Sequence, residues 1–84
     1  MYRYIKSSSD VSFASLKELP EGYRKEIIDE SGNALELQIT EWSNGWDWLL
    51  KDSEDIMIAD SDGHTFTTPQ EALDDFNDWV EFNK

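Results

Sequence analysis

Residues 34–50 read ALELQITEWSNGWDWLL, and this stretch decides the fold. Apolar and polar residues alternate from Leu35 to Ile39, the period of a half-buried strand. Asn44-Gly45 is the favoured dipeptide of a two-residue type I′ hairpin loop. Such a turn pairs Ser43 with Trp46, Trp42 with Asp47, Glu41 with Trp48 and Ile39 with Leu50. Paired residues share a face. Leu37, Ile39, Trp46, Trp48 and Leu50 therefore meet on one side, and Trp42 and Leu49 are left on the other.

Working upstream, Ile28-Asp29-Glu30-Ser31-Gly32-Asn33-Ala34-Leu35 reads as a second hairpin, with Gly32 at positive φ in a bulged turn. If Asp29 pairs with Asn33, then Ile27 faces Leu35, Lys25 faces Leu37 and Tyr23 faces Ile39. The two hairpins are independent readings, and both turn Leu37 and Ile39 inward. Lys25 is the misfit. The competing reading is a helix over residues 21–30, which has weaker periodicity and contains Gly22. Further upstream, residues 1–6 offer a short edge strand through Tyr2, Tyr4 and Ile5, and residues 7–10 a loop. Ser15-Leu16-Lys17-Glu18 has the form of a capping box, but Pro20 stops any helix after about a turn. A helical turn with Leu16 and Leu19 against the core is expected there.

Working downstream, Asp52-Ser53-Glu54-Asp55 is a polar turn and residues 56–60 a strand. Ile56 and Ile58 alternate with Met57 and Ala59. A slip of one residue exchanges the two faces, so either pair can point inward. Asp60-Ser61-Asp62-Gly63 is another turn, and His64 to Thr67 returns as a short strand carrying Phe66. The chain then enters its one clear helix, over residues 68–82. Thr68 is a good N-cap, Pro69 suits the first helical position, and Glu71 completes a T-x-x-E capping box. Ala72, Leu73, Phe76, Trp79 and Val80 share one side of it. Glu71, Asp74, Asp75, Asp78 and Glu81 share the other, with no Lys or Arg among them. The expected fold is α+β: an antiparallel meander of about five strands over residues 20–67, with one C-terminal helix packed across one face. It is a single domain, with residues 1–19 a looser N-terminal segment.

Nineteen acids against seven bases give a net charge of −12. The charge is lopsided. Residues 1–25 carry five bases and three acids, whereas residues 26–84 carry two bases and sixteen acids. A body this negative repels nucleic acid and anionic lipid, and attracts basic protein surfaces. Solubility or salt adaptation is the plain alternative. The chain has no Cys, which excludes disulfides and Cys-based zinc sites. No apolar run approaches a membrane span, and the N-terminus has no secretory h-region.

Little here points to catalysis. The only His is His64, beside a Gly turn with Thr65, Thr67 and Thr68 nearby, and no nucleophile-elbow sequence supports it. Asp60-x-Asp62-Gly63 has part of a calcium-loop pattern. Aligned on the glycine, however, Ile58 and Pro69 fall at the first and last ligand positions of an EF-hand. Weak divalent binding by Asp52, Glu54 and Asp55, or by Asp60 and Asp62, is the remaining metal reading. No metal, cofactor or enzymatic activity is expected.

What remains is charge with geometry. Glu71, Asp75 and Asp78 recur at i, i+4 and i+7, so they rise ~6 Å and ~10 Å along the axis. That is of the order of phosphate spacing along a nucleic-acid strand. With Asp74 and the loop carboxylates Asp52, Glu54, Asp55, Asp60 and Asp62, they form the candidate partner-facing surface. Trp42 is either an exposed aromatic anchor or buried under the N-terminal segment.

In size, acidity, absence of Cys and an acid-striped helix beside an antiparallel sheet, the chain resembles small nucleic-acid-mimic inhibitors of phages and mobile elements, the anti-CRISPR and anti-restriction proteins. The resemblance implies stoichiometric occupation of a nuclease's nucleic-acid or recognition-motif site, without turnover. The implied partner is the basic surface of a nucleic-acid-handling protein, a CRISPR nuclease among them, in the cytoplasm of a bacterial host. Direct nucleic-acid or membrane binding is not expected. A small interaction module working through Trp42 and Leu49 is the alternative.

Overall fold

The structure, a computed structural model, describes residues 11–28 and 32–82. A 3-10 turn, Phe13–Ser15, leads into five strands and one helix. The strands are β1 (Lys17–Leu19), β2 (Gly22–Ile28), β3 (Ala34–Trp42), β4 (Gly45–Asp52) and β5 (Met57–Asp60), and the helix is α1 (Pro69–Phe82). The sheet order is β1-β2-β3-β4-β5, antiparallel throughout. It is the α+β meander with a C-terminal helix that the hydrophobic pattern called for.

The β2–β3 register is the expected one: Tyr23 opposite Ile39, Lys25 opposite Leu37 and Ile27 opposite Leu35. Gly32 has a φ of +86°, as that turn requires, while Asp29, Glu30 and Ser31 lie outside the described residues. Strand wins over helix at residues 22–28 because β3 supplies a full ladder of non-local hydrogen bonds.

The β3–β4 register differs from the expected one. Trp42 pairs with Gly45, Ile39 with Trp48 and Leu37 with Leu50. The loop is therefore Ser43-Asn44, neither residue has a positive φ, and Gly45 opens β4 at a φ of +137°. Tertiary contact explains the shift. A Cβ on Gly45 would lie 2.7 Å from the Phe66 carbonyl oxygen, where Trp46 and Phe66 exchange backbone hydrogen bonds of 2.8 Å. The glycine is needed at that crossing more than in the turn. The shift is an even one, so every side chain keeps its expected face.

Leu35, Leu37, Ile39, Trp48 and Leu50 from the sheet pack on Ala72, Leu73, Phe76 and Val80 from α1. Trp48 meets Phe76 edge-on at 5.2 Å between ring centroids. The α1 cap has the expected form. The Glu71 N–H donates to Thr68 Oγ1 and the Thr68 N–H to Glu71 Oε1, each at 3.2 Å. Thr68→Ala is expected to cost about 1 kcal/mol in urea unfolding. An unchanged midpoint would show that the cap contributes nothing.

Three local expectations are corrected. Residues 15–18 form no capping box. The Ser15 hydroxyl donates to the Ser12 carbonyl, and Lys17–Leu19 is a strand paired with β2, at the edge of the sheet among the described residues. Leu16 packs against the core, but Leu19 shares a row with Gly22 and Thr40 on the face away from α1. Residues 64–67 are not a strand; only Phe66 bridges, to Trp46. In β5, a bulge opposite Leu50 and Lys51 lets both Ile58 and Ala59 pack on the core, while Ile56 and Met57 stay exposed. The expected edge strand at residues 1–6 and the loop at 7–10 lie outside the described residues.

Candidate functional site

The two layers give the molecule two different faces. On the helix layer, Glu71, Asp74, Asp78 and Glu81 are exposed. Glu71 serves the cap, and Asp74 Oδ1 accepts from Gln70 Nε2 at 2.9 Å. Asp75 stands apart. It is half-buried, and its Oδ2 accepts the Trp48 indole N–H at 2.8 Å. Trp48 is buried, so this bond satisfies a donor that would otherwise be costly to bury. Asp75 thus ties α1 to β4.

The loop carboxylates are distributed around the sheet. Asp52, Glu54 and Asp55 share the β4–β5 turn. Asp52 Oδ1 accepts the backbone N–H groups of Glu54 and Ile56 at 2.9 and 3.0 Å, and Asp55 takes a φ of +67°. Asp60 and Asp62 share the next turn, where Asp60 Oδ1 accepts the Asp62 N–H at 2.8 Å. The register places Asp60 beside Leu49, on the sheet face away from α1. The helix acids and Asp60 therefore point from opposite layers.

Every Lys and Arg among the described residues lines one groove of about 480 Å³: Lys17, Arg24, Lys25 and Lys51. Its hub is Glu36, which accepts from Gln38 Nε2 at 3.0 Å and pairs with Arg24 at 3.4 Å and Lys51 at 3.5 Å. Lys51 also donates to Asp55. That hydrogen bond, with the charges of Asp55 and Glu36, outweighs desolvation and holds the Lys51 amine above the ordinary lysine value of 10.5. Sequence reading did not assemble this cluster. Its members are far apart in the chain, and only the register joins them.

Trp42 is 55% exposed, and its indole N–H donates to Asp47 Oδ1 at 2.8 Å. Another feature beyond the reach of the sequence is Asn77. Its side-chain amide accepts from the Val11 N–H at 3.1 Å and donates to the Val11 carbonyl at 2.9 Å, pinning the N-terminal segment to α1 across 66 positions.

His64 is exposed, and the nearby Ser61 hydroxyl donates to the His64 backbone carbonyl rather than to the imidazole. Among the described residues no three His, Cys, Asp or Glu side chains converge as a metal ion would need. No helix among them is long and apolar enough to cross a membrane. No protein family matches the chain, and neither a curated protein sequence nor a solved structure does.

Proposed function

We propose that the chain is a non-enzymatic acidic inhibitor whose helix layer occupies the basic site of a nucleic-acid-handling protein, with CRISPR nucleases the target class to test first. One observation carries the reading. The exposed side of α1 presents Glu71, Asp74 and Asp78 with no Lys or Arg of the described residues between them, while every described cation lines a groove elsewhere. Asp74 and Asp78 rise ~6 Å apart along the helix axis, and Glu71 and Asp78 ~10 Å. A groove lined with Arg and Lys to hold successive phosphates meets carboxylates at comparable spacing. The long-range field draws such a partner in, and the segregated charge orients it helix-first.

Reversing Asp74 and Asp78 to Lys is expected to weaken capture of the target by at least about a hundredfold. Neither residue is in the core, so the circular dichroism spectrum should not change. The matched control reverses Glu18 and Glu41, both exposed and both off the helix. Equal loss in the control would show that net charge alone drives binding, and mimicry would be wrong. Unchanged capture in the helix variant would rule out the helix face.

The exposure of Trp42 favours the second reading, an interaction module on the sheet face. Capture that resists high salt and is lost in Trp42→Ala would establish it.

A further inference from the structure

The sheet face away from α1 is open among the described residues, and its charges follow a pattern set by register. One row across the five strands reads Lys17, Arg24, Gln38, Leu49, Asp60. The next, across β2 to β5, reads Glu26, Glu36, Lys51, Met57. β3 is the middle strand. A half-turn about β3 exchanges β1 with β5 and β2 with β4. It carries Lys17 onto the place of Asp60, and Glu26 onto the place of Lys51. Both exchanges bring opposite signs together.

We propose that this face packs against the same face of a second copy of the chain, about a twofold axis along β3. Four cross-copy ion pairs follow, two Lys17–Asp60 and two Glu26–Lys51. Residues of β3 meet their own copies on the axis. Trp42 meets Trp42, an aromatic contact between side chains that are 55% exposed in the single chain. Gln38 meets Gln38, and an amide carries both donor and acceptor. Glu36 meets Glu36, each carboxylate already held by Arg24, Gln38 and Lys51. A twofold along the strands keeps the strand directions of the two sheets aligned, the common geometry of stacked sheets ~10 Å apart.

Charge is also what selects a second copy as the occupant. Two chains of −12 each repel except where acids are offset. On this face Lys17, Arg24 and Lys51 stand against Glu26, Glu36, Asp47 and Asp60. On the exposed side of α1 no Lys or Arg of the described residues stands beside Glu71, Asp74 and Asp78. Sheet-to-sheet packing places the two acidic helices on opposite outer sides, as far apart as the dimer allows. The face measures five strands at ~4.8 Å by up to about seven residues at ~3.4 Å, roughly 500 Å² per copy. That is the small end of specific interfaces, so association in the range of roughly 10 µM to 1 mM is expected.

The test is sedimentation equilibrium of the full chain across that concentration range. The mass is expected to rise from 9.8 kDa toward twice that value. Lys17→Asp alone and Asp60→Lys alone should each weaken association at least about fivefold. The two together should restore it, because the swap preserves the cross-copy pairs. Trp42→Glu puts like charges on the axis and should leave a monomer. The Asp60 carboxylate also holds its turn, so concentration-dependent amide shifts of the unmodified chain provide a second measurement. They should centre on Gln38, Thr40, Trp42 and Leu49. A mass of 9.8 kDa throughout with no such shifts overturns the proposal. So does a dimer that survives Trp42→Glu, a swap without rescue in folded protein, or a different protein held on this face while the chain stays monomeric. None of these variants touches Asp74 or Asp78, so this proposal and the helix-face reading stand or fall separately.

Discussion

Gly22→Ala is expected to abolish folding or nearly so. Gly22 opens β2 opposite Thr40, with a φ of +156°. A Cβ there would lie 2.0 Å from the Ile39 carbonyl oxygen and 3.0 Å from its carbonyl carbon. These are backbone atoms of the central strand, whose side chains form the core, so they cannot swing aside as a flexible side chain would. The strained φ costs about 1–3 kcal/mol by itself. The clash adds to it, for a total of at least about 4 kcal/mol. A domain of this length holds roughly 4–12 kcal/mol in all. Gly63 is the control. Its φ is +80°, but nothing lies within 4 Å of the missing Cβ, so Gly63→Ala should cost only about 1–2 kcal/mol. Urea unfolding followed by tryptophan fluorescence separates the two. Equal losses would mean that β2 and β3 do not approach as closely as described.

Trp48→Ala is the second large effect, an expected loss of about 3–5 kcal/mol. Trp48 is 1% exposed and sits between layers, 5.2 Å from Phe76 and 5.7 Å from Trp79 between ring centroids. Truncation opens a cavity that the rigid sheet cannot close, and it strands Asp75. The hydrogen bond can be separated from the packing. Asp75→Ala keeps the ring but leaves the buried indole N–H without its partner, a cost of about 1–3 kcal/mol. In a Trp48→Phe background the same Asp75 change should cost far less, since no N–H remains to satisfy. If Asp75→Ala costs the same in both backgrounds, the carboxylate is not acting through Trp48. The cycle also defines the binding surface. A residue that closes the core is a poor choice for reversal, and for that reason Asp74 and Asp78 carry the functional test.

The candidate site was legible in composition and only partly in place. The absence of Lys and Arg on one side of α1 is visible in residues 69–82 because a helix repeats locally. The partner of Asp75 is not visible, because Trp48 lies 27 positions away. Nor is the grouping of Lys17, Arg24 and Lys51, which come from three different strands. Trp42 shows the same limit. Parity sends it away from the core, but whether anything covers it is a matter of packing.

By itself the sequence determined the elements whose causes are local, together with the faces they present. The Thr68–Glu71 cap and the 3.6-residue repeat specify α1. Alternation specifies the inward sides of β2, β3 and β4, and that parity survives any even shift of register. Only the tertiary structure decided where local preference met a distant competitor. Asn44-Gly45 favours a type I′ turn, but the Phe66 backbone crosses at Gly45 and takes the glycine for itself. The Ser15–Glu18 box favours a helix start, but β2 offers residues 17–19 a ladder of hydrogen bonds. A bulge lets Ile58 and Ala59 both pack inward, an outcome that alternation alone excludes. In the first two cases a non-local hydrogen bond or close contact outweighs a turn or cap preference of about 1 kcal/mol, and in the third core packing outweighs strict alternation.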